Sequence, residues 1–363
     1  MTDLAALFTP LTFAHGPAMK NRLMLAPLTN TQSHPDGKLS DEELHWLVMR
    51  AEGGFGLTMT CAAHVQRIGQ GFPGQLGIWS DDHLPGLTRL AAAIKANDSV
   101  AVVQLHHAGM RSPAELIGEA TVCPSDNEEF KARALTGEEV LQLKADFVAA
   151  AVRAEKAGFD GVEFHGAHGY ILCQFLSDEI NTRTDQWGGS LDNRVRLIHE
   201  ILIEARAACG PDFQIGLRLS PERFGLKLAE IREVAGRLMT SGLIDYLDMS
   251  LWDVGKLPIE EAFADKSLID WFAELPRGDC RLGVAGKIME PAYAASLLDK
   301  VDFVLLGRAA ILHHDWPHRA AREDGFKPVS LPVTRAYLAS EGLSPVFQDY
   351  MAAWKGFVAD DAA

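Results

Sequence analysis

Short apolar runs alternate with longer stretches in which apolar residues recur every three or four positions. Eight runs read as buried strands: residues 23–26, 57–60, 100–104, 161–164, 215–219, 246–249, 281–284 and 303–306. The stretches between them read as amphipathic helices with legible ends. Ser40 and Glu43 have capping-box spacing ahead of Leu44, Leu47 and Val48, and Gly53 marks the stop. Thr136 and Glu139 repeat the device ahead of Val140, Leu143, Phe147 and Ala151, with Gly158 at the end. Leu191, Val195, Ile198 and Leu202 form another apolar face, closed by Gly210-Pro211. Leu228, Ile231, Val234 and Leu238 form the next, closed by Gly242, and Pro291 opens a helix through Leu298.

Eight strand–helix units in about 250 residues or more have the rhythm of an α/β fold of the (β/α)8 TIM-barrel kind. A doubly wound open sheet shares that periodicity and stays open as the alternative. No Pro/Ser-rich linker, internal repeat or low-complexity segment divides the 363 residues. The expectation is therefore a single domain over 1–363. Its barrel covers about 20–320, with loop insertions at 65–82 and 110–134 and a C-terminal extension over 331–363.

Composition narrows the class. Hydrophobic residues are 47% and charged residues 23%, as in a globular chain. A net charge of −15 disfavours nucleic acid and anionic membrane surfaces. An anionic cofactor needs local cations or oriented amides against that field. Cysteines 61, 123, 173, 209 and 280 are odd in number and form no CxxC pair. That points to a reducing, cytoplasmic setting and away from an iron–sulfur or structural zinc site. The N-terminal residues lack a basic region followed by a long apolar run, and no apolar run reaches about 18 residues, so neither a signal peptide nor a membrane span is expected.

Residues 158–194 hold the densest cluster of chemistry: a strand, then His165, His168 and Tyr170, then a charged loop. In parallel α/β folds the chemistry lies beyond the carboxyl ends of the strands. The other strand ends are Pro27-Leu28-Thr29, Cys61-Ala62, Gln104, Arg218, Gly286-Lys287 and Gly307-Arg308. Gly286 with Gly307-Arg308 fits the phosphate pocket that barrels often build after strands seven and eight; a turn with a solvated cation is the bland reading. His165 and His168 have a spacing that also suits two metal ligands, but no third ligand is apparent and HExxH is absent. The GxGxxG match at 69–74 is a decoy. Pro73 and the glycines after it do not open a helix, so no Rossmann unit is expected there.

Several segments together resemble the old yellow enzyme family of FMN-dependent ene-reductases. Lys20-Asn21-Arg22-Leu23-Met24-Leu25-Ala26-Pro27-Leu28-Thr29 is similar to that family's first strand, and Val103-Gln104-Leu105-His106-His107-Ala108-Gly109 to its third-strand motif. His165-Gly166-Ala167-His168-Gly169-Tyr170 resembles the active-site motif. Asn181-Thr182-Arg183-Thr184-Asp185, Gly188-Gly189-Ser190 and Asn193-Arg194 resemble the loop after it. The resemblance runs over roughly residues 4–312, through Arg218, Gly286 and Gly307-Arg308.

The resemblance implies bound FMN, with NADH or NADPH as transient reductant, and electron-poor alkenes as oxidants in a ping-pong cycle. Ala26, Pro27, Leu28 and Ala62 would line the flavin ring, and Thr29 would donate toward flavin O4. Gln104 would meet the pyrimidine edge. Arg218 would face N1 and O2, where reduction places negative charge; an ordinary interior ion pair is its bland alternative. Gly286, Gly307 and Arg308 would hold the phosphate. His165 and His168 would bind the substrate's carbonyl or nitro oxygen, and Tyr170 would protonate the α-carbon.

Thr31 stands where a subgroup of that family has a substrate-contacting tyrosine. The tail lacks the Arg-Gly-Trp ending with which that subgroup reaches a neighbouring subunit, although a homodimer or higher homo-oligomer is expected. The chain also stops before the iron–sulfur and FAD regions of the longer dienoyl-CoA reductase relatives. Two other classes compete: a flavin-free barrel lyase or metal-dependent hydrolase using His165 and His168, and a barrel that binds a ligand without catalysis.

Overall fold

All eight expected strands form, and they close on themselves. They are β1 Leu23–Leu25, β2 Leu57–His64, β3 Val100–His106, β4 Gly161–Gly166, β5 Gln214–Leu219, β6 Tyr246–Ser250, β7 Arg281–Ala285 and β8 Phe303–Leu306. The computed structural model describes residues 4–359; residues 1–3 and 360–363 of the expected span lie outside them. Each strand is parallel to both neighbours, and β1 pairs with β8 through Leu23↔Val304 and Leu25↔Leu306. That closure excludes the open sheet. Nearly every strand residue is buried because helices cover the outer face and side chains fill the inner one, which explains the continuous apolar runs.

Seven helices follow strands in turn: α1 Asp41–Glu52, α2 Leu84–Lys95, α3 Gly137–Lys156, α4 Leu191–Ala208, α5 Leu228–Met239, α6 Pro291–Leu297 and α7 Arg308–Leu312. After β6 the described residues form only a short 3-10 turn, Glu261–Phe263, and a one-turn helix, Asp270–Ala273. Thr136 and Glu139 cap α3 reciprocally, as expected. The box at α1 is only half made. Ser40 accepts from the Glu43 amide, but the Glu43 carboxyl is fully buried and takes hydrogen bonds from Asn30, Ser33 and Cys61 instead. Capping spacing predicts the backbone contact; tertiary burial redirects the side chain.

Two features shape the barrel mouth. The β2–β3 register shifts between Met59 and Ala62, a local irregularity at the approach to the carboxyl end of β2. The C-terminal extension returns to the barrel through α8, Pro345–Ala352, whose Phe347 ring meets Trp46 of α1 at 5.3 Å. Gln32 Oε1 accepts from the Ser344 amide at 3.2 Å, fixing the start of α8 beside the loop after β1. The 110–134 insertion carries a separate two-stranded parallel sheet, Val122–Cys123 with Arg133–Ala134. Among the described residues no helix is long and apolar enough to cross a membrane.

Candidate active site

Two adjoining cavities open at the carboxyl ends of the strands, and every site residue expected from the sequence lines one or both. A cavity of about 230 Å³ is bounded by Ala26, Pro27, Leu28, Gly286, Gly307 and Arg308, with Arg218 and His168 at its inner side. The second, about 180 Å³, adds Thr29, Ala62, Gln104, His165 and Tyr170. Residues distant in sequence meet here because a parallel barrel brings all eight strand ends to one rim.

Gly286 sits at φ +156°, and a Cβ on it would lie 3.0 Å from the amide nitrogens of both Asp253 and Val254. Only glycine fits, and backbone surrounds the position. Arg308 forms no ion pair among the described residues, whereas Lys287 Nζ pairs with Asp253 at 2.9 Å. A free guanidinium beside glycine-rich strand ends is the donor set for a phosphate.

On the opposite side the histidines form a directed chain. The Ala167 amide donates to His165 Nδ1 at 3.2 Å, so neutral His165 carries its proton on Nε2. His165 Nε2 lies 3.2 Å from His168 Nδ1, and His168 Nε2 lies 2.7 Å from Ser250 Oγ. The network assigns Nε2–H to both rings. Burial, then neighbouring positive charge, pushes both imidazoles well below the usual histidine range, keeping them neutral. His168 stands at φ 60° in a turn, not on a helix, and both acceptor lone pairs are occupied. The pair therefore has no free lone pair for a metal, and no group of three or more His, Cys, Asp or Glu among the described residues is placed to hold one.

Arg218 does make an ion pair. Its Nε lies 2.7 Å from Asp248 Oδ2, though too poorly aligned to count as a hydrogen bond, and its Nη2 donates to Ser250 Oγ at 3.2 Å. Gln104 Nε2 donates to Glu163 Oε1 at 2.7 Å. The ion-pair reading of Arg218 is thus partly true, yet both residues also face the cavity. Burial, then the charge of Asp248, raises the Glu163 carboxyl to about 8.

Sequence reasoning missed several members. His106 is buried with Nε2 unpartnered, and its ring stands edge-on to Tyr170 at 4.3 Å. Ser250 joins Arg218 to His168. Phe72, from the GxGxxG decoy loop, and Tyr350, Met351 and Trp354, from the C-terminal segment, complete the wall. Arg111 lies over Tyr170 and bounds an outer cavity of about 380 Å³. The HisHisAlaGly run held a signal for His106; nothing in the tail's pattern marks Tyr350 or Trp354.

The residues fit a flavin mononucleotide: a phosphate cradle on one side, an amide and a cation on the barrel floor, and an unpartnered imidazole nitrogen. The chain matches the NADH:flavin oxidoreductase / NADH oxidase family over residues 6–324. It is 38% identical over 322 residues to the probable NADH-dependent flavin oxidoreductase YqiG of Bacillus subtilis, covering 85% of this chain and 86% of that one. The solved old yellow enzyme homologue from Zymomonas mobilis superposes with a TM-score of 0.78 at 27% identity, over 92% of this chain and 96% of that one. Morphinone reductase in complex with tetrahydroNAD gives 0.76 at 27%, over 92% and 94%. The chain therefore belongs to the NADH:flavin oxidoreductase / NADH oxidase family, as an NAD(P)H-dependent flavin oxidoreductase of the old yellow enzyme type whose flavin is FMN.

Proposed function

We propose that this enzyme reduces the activated C=C bond of α,β-unsaturated carbonyl or nitro compounds, using NADH or NADPH in a ping-pong cycle. The observation that carries this reading is the shared cavity. Thr29, Ala62, Gln104 and Arg218 bound the same space as His165, His168 and Tyr170. One place can therefore receive the nicotinamide and then, after its departure, the alkene.

Bound FMN supplies the hydride acceptor and donor. Ala26, Pro27, Leu28 and Ala62 offer backbone and apolar surface to its ring, with Thr29 and Gln104 offering polar groups to its edge. Arg218 brings positive charge to the barrel floor, and Gly286, Gly307 and Arg308 hold the phosphate. When the alkene binds, the His165 and His168 Nε2–H donors would swing from His168 Nδ1 and Ser250 Oγ to its activating oxygen. Neutral imidazoles suit this role, because they donate hydrogen bonds to developing negative charge without surrendering a proton. Tyr170 delivers the proton to the α-carbon. Burial raises its phenol, so it is fully protonated at working pH.

The reading also takes the chain as one catalytic unit in the cytoplasm. The continuous barrel and five buried free cysteines support it. The test is anaerobic reduction by each nicotinamide, followed by mixing with enones, maleimides and nitroalkenes while flavin absorbance is recorded. Rapid reoxidation with formation of saturated product is expected. Reoxidation by oxygen or quinones alone would refute the alkene assignment.

A further inference from the structure

Inside the barrel, the floor of the cavity holds a polar layer whose two carboxyls the proposed reaction does not use. Gln104 and Glu163 are register partners on β3 and β4, and Arg218 and Asp248 on β5 and β6. Glu163 and Asp248 are both fully buried, so one guanidinium meets two carboxyls in an enclosed interior. Two ionised carboxylates there would leave an uncompensated buried charge, which is costly. Asp248 takes the cation, at 2.7 Å from Arg218 Nε.

Glu163 has no cation in contact. Its Oε1 accepts from Gln104, and its Oε2 has no partner. The remaining group bearing on it is Tyr246 of β6, also buried and unpartnered at its hydroxyl. Tyr246 packs across Gly216, the β5 residue in register with both Glu163 and Tyr246; a Cβ on Gly216 would lie 2.5 Å from the Tyr246 hydroxyl. The groups facing Glu163 are thus one amide, one phenol, one carboxylate and the guanidinium already paired with it.

We propose that Glu163 is a positioning residue held as a neutral acid, which fixes the edge of the Gln104 carboxamide presented to the flavin and leaves Arg218 with a single counter-charge. This rests on the reading of Gln104 and Arg218 as flavin contacts. Tying Nε2 to Glu163 leaves Gln104 its Oε1 and one N–H to present, and anchors the amide to a partner fixed in β4. Neutrality matters as much. A second anion on the floor would oppose the negative charge that reduction places nearby, whereas a protonated carboxyl does not. Burial and the Asp248 charge both favour the protonated form.

Infrared difference spectroscopy of the apoprotein tests the first half. A protonated carboxyl carbonyl band is expected near neutral pH, absent from Glu163→Gln. If no such band is present, or if it survives in Glu163→Gln, the proposal is overturned. FMN titration tests the second half. Glu163→Leu should weaken FMN binding by about tenfold, the size of one lost hydrogen bond, and Glu163→Gln should stay within about threefold of the native protein. Native affinity in Glu163→Leu, when Gln104→Ala weakens binding, overturns the positioning role. Native affinity in Gln104→Ala and Arg218→Met overturns the flavin-contact reading instead, while the infrared result for Glu163 stands apart from it. A midpoint potential whose pH dependence steepens where the band titrates, in native protein but not in Glu163→Gln, is the further expected sign.

Discussion

The guanidinium carbon of Arg111 lies 5.0 Å from the centre of the Tyr170 ring, and the same guanidinium donates to the carbonyl of His168. One cation thus sits against the proposed proton donor and ties it to the turn carrying His168, a proposed substrate-binding histidine. Burial raises the Tyr170 phenol, and the Arg111 charge is the largest opposing influence. Tyr170→Phe keeps the ring and removes only the acid. Flavin reduction by NAD(P)H should be nearly unchanged, and reoxidation by simple enones should slow by about 10²–10⁴. Quinones, which need no carbon protonation, should be spared. Stopped-flow timing of the two half-reactions separates this outcome from a packing defect, which would slow both.

Arg111→Gln is the companion experiment. Removing the cation leaves only the Arg218 charge to oppose burial, so the phenol should titrate higher and become a weaker acid. Enone reoxidation should slow by less than in Tyr170→Phe, with quinone turnover unchanged. An equal loss with both oxidants would show that Arg111 acts through the His168 turn rather than through the phenol.

The Ser250 bridge yields a prediction about the histidines. His165→Ala with His168→Ala should leave FMN bound while weakening phenolic ligands and slowing alkene reoxidation. Ser250→Ala removes the acceptor of His168 Nε2–H and one partner of Arg218. It should loosen phenolic ligand binding by a few-fold, about one modest hydrogen bond. Titrating the flavin absorbance with a substituted phenol reads both. A double-histidine variant that loses FMN but reduces enones normally on reconstitution would reverse the assignment.

The barrel was legible because its signals are local. Eight apolar runs and the interposed amphipathic faces follow from strand and helix periodicity, and the Thr136–Glu139 cap formed as its spacing predicts. The glycine-rich side of the cavity was legible through Gly286, Gly307 and Arg308, which stand at strand ends. What stayed hidden depends on contacts between remote segments. Glu43 reads as a cap residue until the loop after β1 folds over it. Arg218 reads as a flavin-facing cation or an interior ion pair, and its partner Asp248 shows only once β6 lies beside it. Tyr350 and Trp354 reach the site only because Phe347 docks on Trp46, more than 300 residues away in sequence.

Arg218 itself carries a quantitative expectation. Its charge is partly neutralised by Asp248, so Arg218→Met removes the cation and also strands a buried carboxylate. FMN retention and midpoint potential should both fall. Arg218→Met with Asp248→Asn removes both charges and should recover part of the protein's thermal stability but not the potential. Potentiometry and thermal melts on the two variants check this; full recovery of the potential in the double variant would show that the Arg218 charge does not act on the flavin.

Acid sensitivity follows from the histidines under the site. Gln66 joins two of them: its backbone carbonyl accepts from His64 Nδ1 at 2.9 Å, and its Oε1 accepts from His107 Nε2 at 3.1 Å. The Gly109 amide donates to His107 Nδ1 at 2.9 Å, so His107 is bound as the neutral tautomer. Burial lowers His64 to about 4 and His107 to about 3. The unfolded chain, with histidines near 6.5, therefore binds more protons than the folded one, and stability rises with pH through this window. The contribution is fully present above about 6.5 and is lost as pH falls toward the folded values. At pH 5 the loss is about 2 kcal/mol for each of these two residues. Melting temperature should drop between pH 7 and pH 5, before most carboxylates titrate. His107→Gln retains a side-chain donor for Gln66 and cannot charge; it should flatten that slope even if it lowers stability at pH 7. A melting temperature constant from pH 7 to pH 5 in the native protein would show that these imidazoles are not held neutral.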